Sequence, residues 1–153
     1  MEISWAEIGD WVPAMCMIWE SFMEFDSKDY TKKAADNFYD FITDPELYES
    51  FLDGGYRLCV CKNSEGKIVG AAGVRGFFKL SLLFVDGRYH KRGIGKRLVE
   101  YVCHRLKEEA GSSKLVVMAA PFAIGFYEKM GFIKTEDETT MGGMRITPME
   151  LNY

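Results

Sequence analysis

Residues 79–106, "KLSLLFVDGRYHKRGIGKRLVEYVCHRL", constrain the fold more than any other stretch. The first seven, rich in Leu, Phe and Val, read as a strand covered on both faces. Glycines follow, and then Leu98, Val102 and Leu106 recur every fourth residue, which predicts a helix over 94–110 ending at "AGSS". A strand, a glycine-containing turn and a helix in that order make an anion site. The first N–H groups of the helix lack an intrahelical partner, and the aligned peptide dipoles leave about half a positive charge at that end. Gly93 and Gly95 would let the backbone approach a phosphate and take φ values that side chains forbid. Lys91, Arg92, Lys96 and Arg97 surround the loop with charge.

Other phosphate chemistries fit poorly. In a Walker loop Gly-Lys is followed by Ser or Thr, whereas Arg97 follows Gly95-Lys96 and His90 occupies the earlier glycine position. A dinucleotide fingerprint needs a third glycine where Leu98 stands. No carboxylates suited to Mg²⁺ flank the loop, which disfavours a phosphotransferase. With 19 Lys and Arg against 23 Asp and Glu, the net charge of -4 supplies no global field for nucleic acid. The basic cluster is therefore a local feature. No apolar run approaches the ~20 residues of a membrane helix, and "MEISWAEIGD" carries an acid where a signal peptide carries Lys or Arg. A cytoplasmic protein without membrane partners is expected, and 153 residues suit one domain, 1–153. Cys16, Cys59, Cys61 and Cys103 are too scattered for a disulfide framework. Cys59 and Cys61 share one face of a strand pattern and read as small buried apolar side chains. With two histidines and no CxxC, no metal site is expected.

Around this core, "EIS" opens a short strand, and Asp10 is placed to cap a helix with Pro13 in its first turn. Trp11, Met15, Ile18, Phe22 and Phe25 give that helix an apolar stripe. Further helices are predicted from about Thr31 to Ile42 and from Asp44-Pro45 to "DGG". The period then falls to two: "YRLCVCK" and "KIVGAAGV" around "NSEG" predict an antiparallel hairpin. "KLVVMAA" is a strand, "PFAIGFYEKMG" a short helix, and the chain closes as two strands around Gly142-Gly143. Pro148 suggests a bulge or an edge in the last strand, which suits either a homodimer contact or a protected edge. The predicted class is α/β, a mixed sheet with helices on both faces.

The succession "LSLLFV", "HKRGIGKRL", "LVVMAA" and "AIGFYEKMGF" resembles the acetyl-coenzyme A binding core of the GNAT N-acetyltransferase superfamily. The family's Q/R-x-x-G-x-G/A loop, which wraps the coenzyme A pyrophosphate, falls on His90, Lys91, Arg92, Gly93, Ile94 and Gly95. His90 departs from the usual Gln or Arg. The family's A-x-x-F-Y-x-x-x-G-F segment matches Ala123, Phe126, Tyr127, Gly131 and Phe132. The resemblance implies a mostly antiparallel sheet of about seven strands, splayed between the fourth and fifth. It also implies acetyl-CoA as acetyl donor and no metal. The pantetheine arm would lie along Leu83, Phe84 and Val85, with a backbone N–H near Leu83 or Phe84 facing the thioester carbonyl.

Tyr127 matches the tyrosine that protonates the leaving thiolate, and a phenol within hydrogen-bond reach can supply that proton. The alternative reading is a half-buried aromatic packing on the sheet. The asparagine with which many members bond the pantetheine is replaced by Ala120, and the nearest counterpart of the glutamate base of some members is Lys79, a cation that cannot readily serve as that base. "WESFMEFDSKDY" puts Glu20, Glu24, Asp26 and Asp29 near the acceptor side, with Glu20 and Glu24 four apart on one helical face. Glu24 is the favoured base, with Glu20 beside it; solvated surface acids are the alternative. The reading is acetyl transfer to an amine of a small molecule or peptide in a ternary complex. A non-catalytic acyl-CoA-binding or sensing module remains the alternative.

Overall fold

In the computed structural model, which describes residues 1–153, the hairpin around "NSEG" lies within the sheet. Tyr56–Lys62 (β2) and Ile68–Arg75 (β3) pair antiparallel around Asn63, whose carboxamide oxygen accepts the N–H groups of Glu65 at 2.9 Å and Lys67 at 3.0 Å. Both faces of β2 are buried. Tyr56, Leu58 and Val60 join one apolar cluster, and Cys59 and Cys61 join the other, as their alternation requires. Glu2–Trp5 (β1) pairs with β2, and Lys79–Val85 (β4) pairs with β3.

The second half of the sheet is assembled on the last strand. Lys114–Ala119 (β5) pairs antiparallel with Met144–Asn152 (β8), which also carries Ile133–Lys134 (β6) and Thr139–Met141 (β7). The order is β1-β2-β3-β4-β5-β8-β6 with β7 on β8, eight strands where the sequence suggests about seven. The difference is "TEDE" at 135–138, whose acids are poor strand formers and split the expected penultimate strand in two. The β7–β8 turn is tight: Gly142 and Gly143 have φ of 58° and 83°, which two-residue hairpin turns of this kind require and glycine accepts. Pro148 lies inside β8 opposite Met118 without a bulge, and β8 is flanked on both sides, so it is no exposed edge. Its carbonyl accepts from Thr135 N–H at 3.0 Å, so its nitrogen faces that side as well and no bond to β5 is lost.

Trp11–Ser21 (α1), Lys32–Ile42 (α2) and Pro45–Asp53 (α3) cover one face; Ile94–Ala110 (α4) and Ile124–Lys129 (α5) cover the other. Thr31 and Asp44 cap α2 and α3, accepting from Ala34 N–H at 3.1 Å and Glu46 N–H at 2.9 Å. Asp10 does not cap α1. It sits inside a preceding 3₁₀ turn, Ile8–Asp10, and its carboxylate turns back to Glu7 N–H at 2.8 Å and Lys62 Nζ at 3.0 Å. The stripe of α4 is as predicted, with Leu98, Val102 and Leu106 fully buried, and Gly111 at φ 64° ends the helix.

The first helix departs from expectation after Ser21. Residues Phe22–Asp26 form a π-helical turn, which holds one more residue than an α turn and rotates everything that follows. Phe22 stays in the core at 1% exposure, stacked on Phe38, while Phe25 swings out of the stripe to 39%.

Tyr56 crosses Gly73 to reach Ser81, its hydroxyl 2.7 Å from the serine oxygen. A methyl group at Gly73 would overlap the Tyr56 ring and hydroxyl. Gly73→Ala is expected to cost about 1–3 kcal/mol, the range for overpacking a filled core. Adding Tyr56→Phe should recover part of the loss, a coupling that denaturant unfolding of the single and double variants will read directly.

Candidate functional site

Two residue pairs hold the halves of the sheet together. β4 and β5 run parallel and pair only at Lys79 with Val116 and Leu80 with Val117. Beyond them Ser81–Val85 follows β3, and Met118–Ala119 follows β8. Ser81 is an extra residue in β4 between the pairs Gly73–Leu82 and Val74–Leu80, a β-bulge that bends the strand where the parting begins.

The parting leaves backbone groups without partners. Asp86 N–H donates to Val69 O at 2.9 Å, so by alternation Leu82 and Phe84 face β3 while Leu83 and Val85 face the gap. On the other wall Val116 N–H donates to Phe78 O at 2.7 Å, so Met118 also faces the gap. The Val85 carbonyl meets His90 Nε2 at 2.7 Å. The gap opens into a cavity of about 540 Å³ with aromatic and aliphatic walls, in which the charged side chains are Asp26, Arg75 and Lys79.

At the end of β4 the chain turns through Asp86, which accepts from Arg88 N–H at 3.0 Å and pairs with its guanidinium at 2.9 Å. Tyr89 and His90 donate their N–H groups back into this turn. The next bonded amide is that of Arg97, to Gly93 O at 3.0 Å, so the six N–H groups from Lys91 to Lys96 have no partner in the chain. Lys91 at φ 61° and Gly93 at φ 77° are left-handed, the backbone pattern that gathers successive amides into an anion-binding hollow. For Lys91 that conformation costs on the order of 1 kcal/mol. Gly95 differs from expectation. Its φ is not left-handed, and what it provides is closeness, since a Cβ there would come within 3.2 Å of the Phe126 ring. Lys91, Arg92, Lys96 and Arg97 are all exposed around the loop, while Ile94 is buried beneath it.

Tyr127 projects from α5 into the same gap. Its ring belongs to the core, edge-on to Phe132 at 5.1 Å, and its hydroxyl makes no hydrogen bond within the chain. No buried side-chain oxygen is both sealed and unpaired, so that hydroxyl opens into the cavity beside Ala120 and Ala123. Burial and then the charge of Asp26 push the phenol well above its usual range. Ala120 has no side-chain polar group; its carbonyl accepts from Ala123 N–H at 2.9 Å.

Of the four acids in "WESFMEFDSKDY", Asp26 is the one in the cavity. The π turn brings it there, and burial and then the neighbouring Asp29 charge raise its pKa to about 6, with His90 opposing. Glu20 and Glu24 do share a face, but it borders a separate hollow with Asp86, Gly87 and Arg88. The structure does not bring them to Tyr127. The spacing of the first helix pointed to this cluster of acids but not to the member that turns inward. Arg75, the other charged residue of the cavity besides Lys79, carries no motif that sequence reasoning could have used.

The model of the acetyltransferase (GNAT) domain family matches residues 26–153. A comparison with curated proteins finds no match. Among solved structures the chain is similar to a GCN5-related N-acetyltransferase from Rhodopseudomonas palustris, with a TM-score of 0.82 and 19% identity over 99% of this chain and 95% of that one. It is also similar to the PaiA N-acetyltransferase of Thermoplasma acidophilum in complex with coenzyme A, with a TM-score of 0.79 and 18% identity over 100% of both chains. Tetrahymena GCN5 aligns at a TM-score of 0.69 and 16% identity over 99% of this chain and 96% of that one. No helix is long and apolar enough to cross a membrane.

The raised pKa of Asp26 has a consequence for stability. A carboxyl that binds its proton more tightly in the folded state stabilises the fold at low pH, and that contribution is lost as pH climbs from about 4 to about 6. Asp26→Asn should therefore raise the Tm above pH 6 and leave it unchanged below about pH 4, as thermal melts across that range will show.

Proposed function

The chain belongs to the GNAT acetyltransferase family, and on that premise we propose that it moves the acetyl group of acetyl-CoA to an amine by direct attack in a ternary complex. The observation that carries this reading is the parting of β4 and β5 between a row of unpaired loop amides at one end and the Tyr127 hydroxyl within. The residues fit the donor. Six free N–H groups ringed by four cations suit a pyrophosphate, and the gap-facing groups of Leu83, Val85 and Met118 suit the amides of a pantetheine arm. Acetyl-CoA supplies an activated acyl carbon and a thiolate leaving group.

The chain's own groups then divide the work. Leu83 N–H, rather than that of Phe84, faces the gap and stabilises negative charge developing on the thioester oxygen. Asp26, directly or through water, takes a proton from the incoming amine, and a carboxylate with a pKa of about 6 is ionised yet still basic near neutrality. The new N–C bond forms as the C–S bond breaks, and Tyr127 gives its proton to the departing sulfur. Proton capture at Asp26 also removes the negative charge that makes Tyr127 a weaker acid, so the two steps assist each other. The groups facing Asp26 are Asp29 and Tyr30 from its own segment, His90 from the loop and Tyr127 from α5.

Gly95→Glu adds bulk against Phe126 and a negative charge beside the amides, so a folded variant should lose acetyl-CoA binding in calorimetry. Unchanged affinity would remove the loop from the donor site. Tyr127→Phe should lower kcat by roughly 10²-fold with little change in donor affinity, whereas a purely structural tyrosine would change only the melt. In wild type kcat/KM should rise with pH through about 6; Asp26→Asn should abolish that limb, and Glu20→Gln and Glu24→Gln should keep it. A limb that survives in Asp26→Asn would reassign the base.

A further inference from the structure

Arg75 closes β3, Lys79 opens β4, and the two are direct cross-strand partners, so their side chains leave the same face of the hairpin. Like charges placed opposite each other repel. Neither takes part in an ion pair, and Arg75 lies instead over the Tyr56 ring at 5.6 Å. Both line the cavity that holds Asp26 and Tyr127, at the end where β4 and β5 are still paired. Leu83 is four residues farther along β4, on the order of 13 Å away at about 3.3 Å per residue. The remaining walls are mostly apolar, with Phe38, Phe41, Met118, Met144 and Ile146 among them, and the uncharged polar side chains are those of Tyr30, Asn37 and Ser81. The cavity thus has an acid near the tyrosine, two uncompensated cations at the far end and a mostly apolar lining.

We infer that the acceptor is an amine whose apolar or aromatic body ends in a carboxylate, which Arg75 and Lys79 hold while the amine reaches Asp26. The inference rests on the transferase reading of this cavity. A planar guanidinium fork beside one ammonium matches a single carboxylate, and the Ser81 hydroxyl and Asn37 amide, which the further oxygens of a phosphate would need, are already bonded to Tyr56 and to the Gly142 carbonyl. A polyamine is disfavoured, because its distal cation would meet the two cations already there. A free α-amino acid is also a poor match, since its amine and carboxylate are adjacent and cannot serve both ends. The amine expected from the acids of the first helix is thereby narrowed to a zwitterion with separated charges.

The test measures thiol release with a ladder of ω-aminocarboxylic acids of rising length, each beside its methyl ester. Wild type should prefer acid over ester by about tenfold or more, the effect of a hydrogen bond to a charged group, with kcat/KM peaking at one length. Arg75→Met and Lys79→Met should each pull the acid-to-ester ratio toward unity without changing acetyl-CoA affinity or lowering the Tm. Equal turnover of acid and ester by wild type, no turnover of any acid, or an undiminished ratio in both variants overturns the inference and leaves the donor site standing. Failure of wild type to bind acetyl-CoA in calorimetry would instead bring down the transferase reading, and the acceptor assignment with it.

Discussion

The structure turns on the early end of one parallel strand pair. β4 and β5 each have a full antiparallel partner on their outer side, so they can separate after two residue pairs without losing the strands on which they are built. A buried amide left unpaired costs about 1–3 kcal/mol, which would normally drive such a gap closed. Here the bulge at Ser81 bends β4 away, the Tyr56 hydroxyl holds that serine, and the gap stays open to the cavity. The groups it exposes are the backbone of Leu83 and Met118 and the N–H of Val85, which on the proposed function would pair with the amides of the donor.

Long-range contacts hold the loop at the end of this gap. His90 folds back on the Val85 carbonyl, the Phe25 ring lies against His90 at 4.8 Å and so close to Gly87 that no Cβ would fit, and Asn63 donates to the Tyr89 hydroxyl at 3.1 Å. The first helix, the β2–β3 hairpin and β4 therefore all brace the residues preceding the unpaired amides. Preorganisation matters because amides already facing one hollow need not be reoriented when an anion arrives.

The single extra residue in the π turn has the largest chemical effect for its size. It exposes Phe25, which then clamps the loop, and it turns Asp26 inward to a site where burial and Asp29 raise its proton affinity. A π turn carries a modest local cost, and on the proposed function the placement of one carboxylate accounts for it.

The sequence by itself determined the elements whose signals are local. The α4 stripe, the Asn63 hairpin, the Asp44 cap and the glycine turn into α4 all follow from the period and chemistry of adjacent residues, and so do the shared buried face of Cys59 and Cys61 and the α/β class. The unpaired amides before α4 and the place of Tyr127 on the gap were legible as candidates because their spacing along the chain is the motif. Only tertiary structure decided which acid enters the cavity. A π turn depends on what the helix packs against and leaves no period of its own, so Asp26 and Glu24 look equivalent until Phe22 is fixed on Phe38. The same holds for Pro148, whose place inside β8 depends on strands far away in sequence, and for Arg75 and Lys79, which become one cationic pair only through the register of β3 on β4. Local physics sets periods, caps and turns, whereas register and helix rotation are set by the packing of distant segments, and it is register and rotation that aim side chains into a common site.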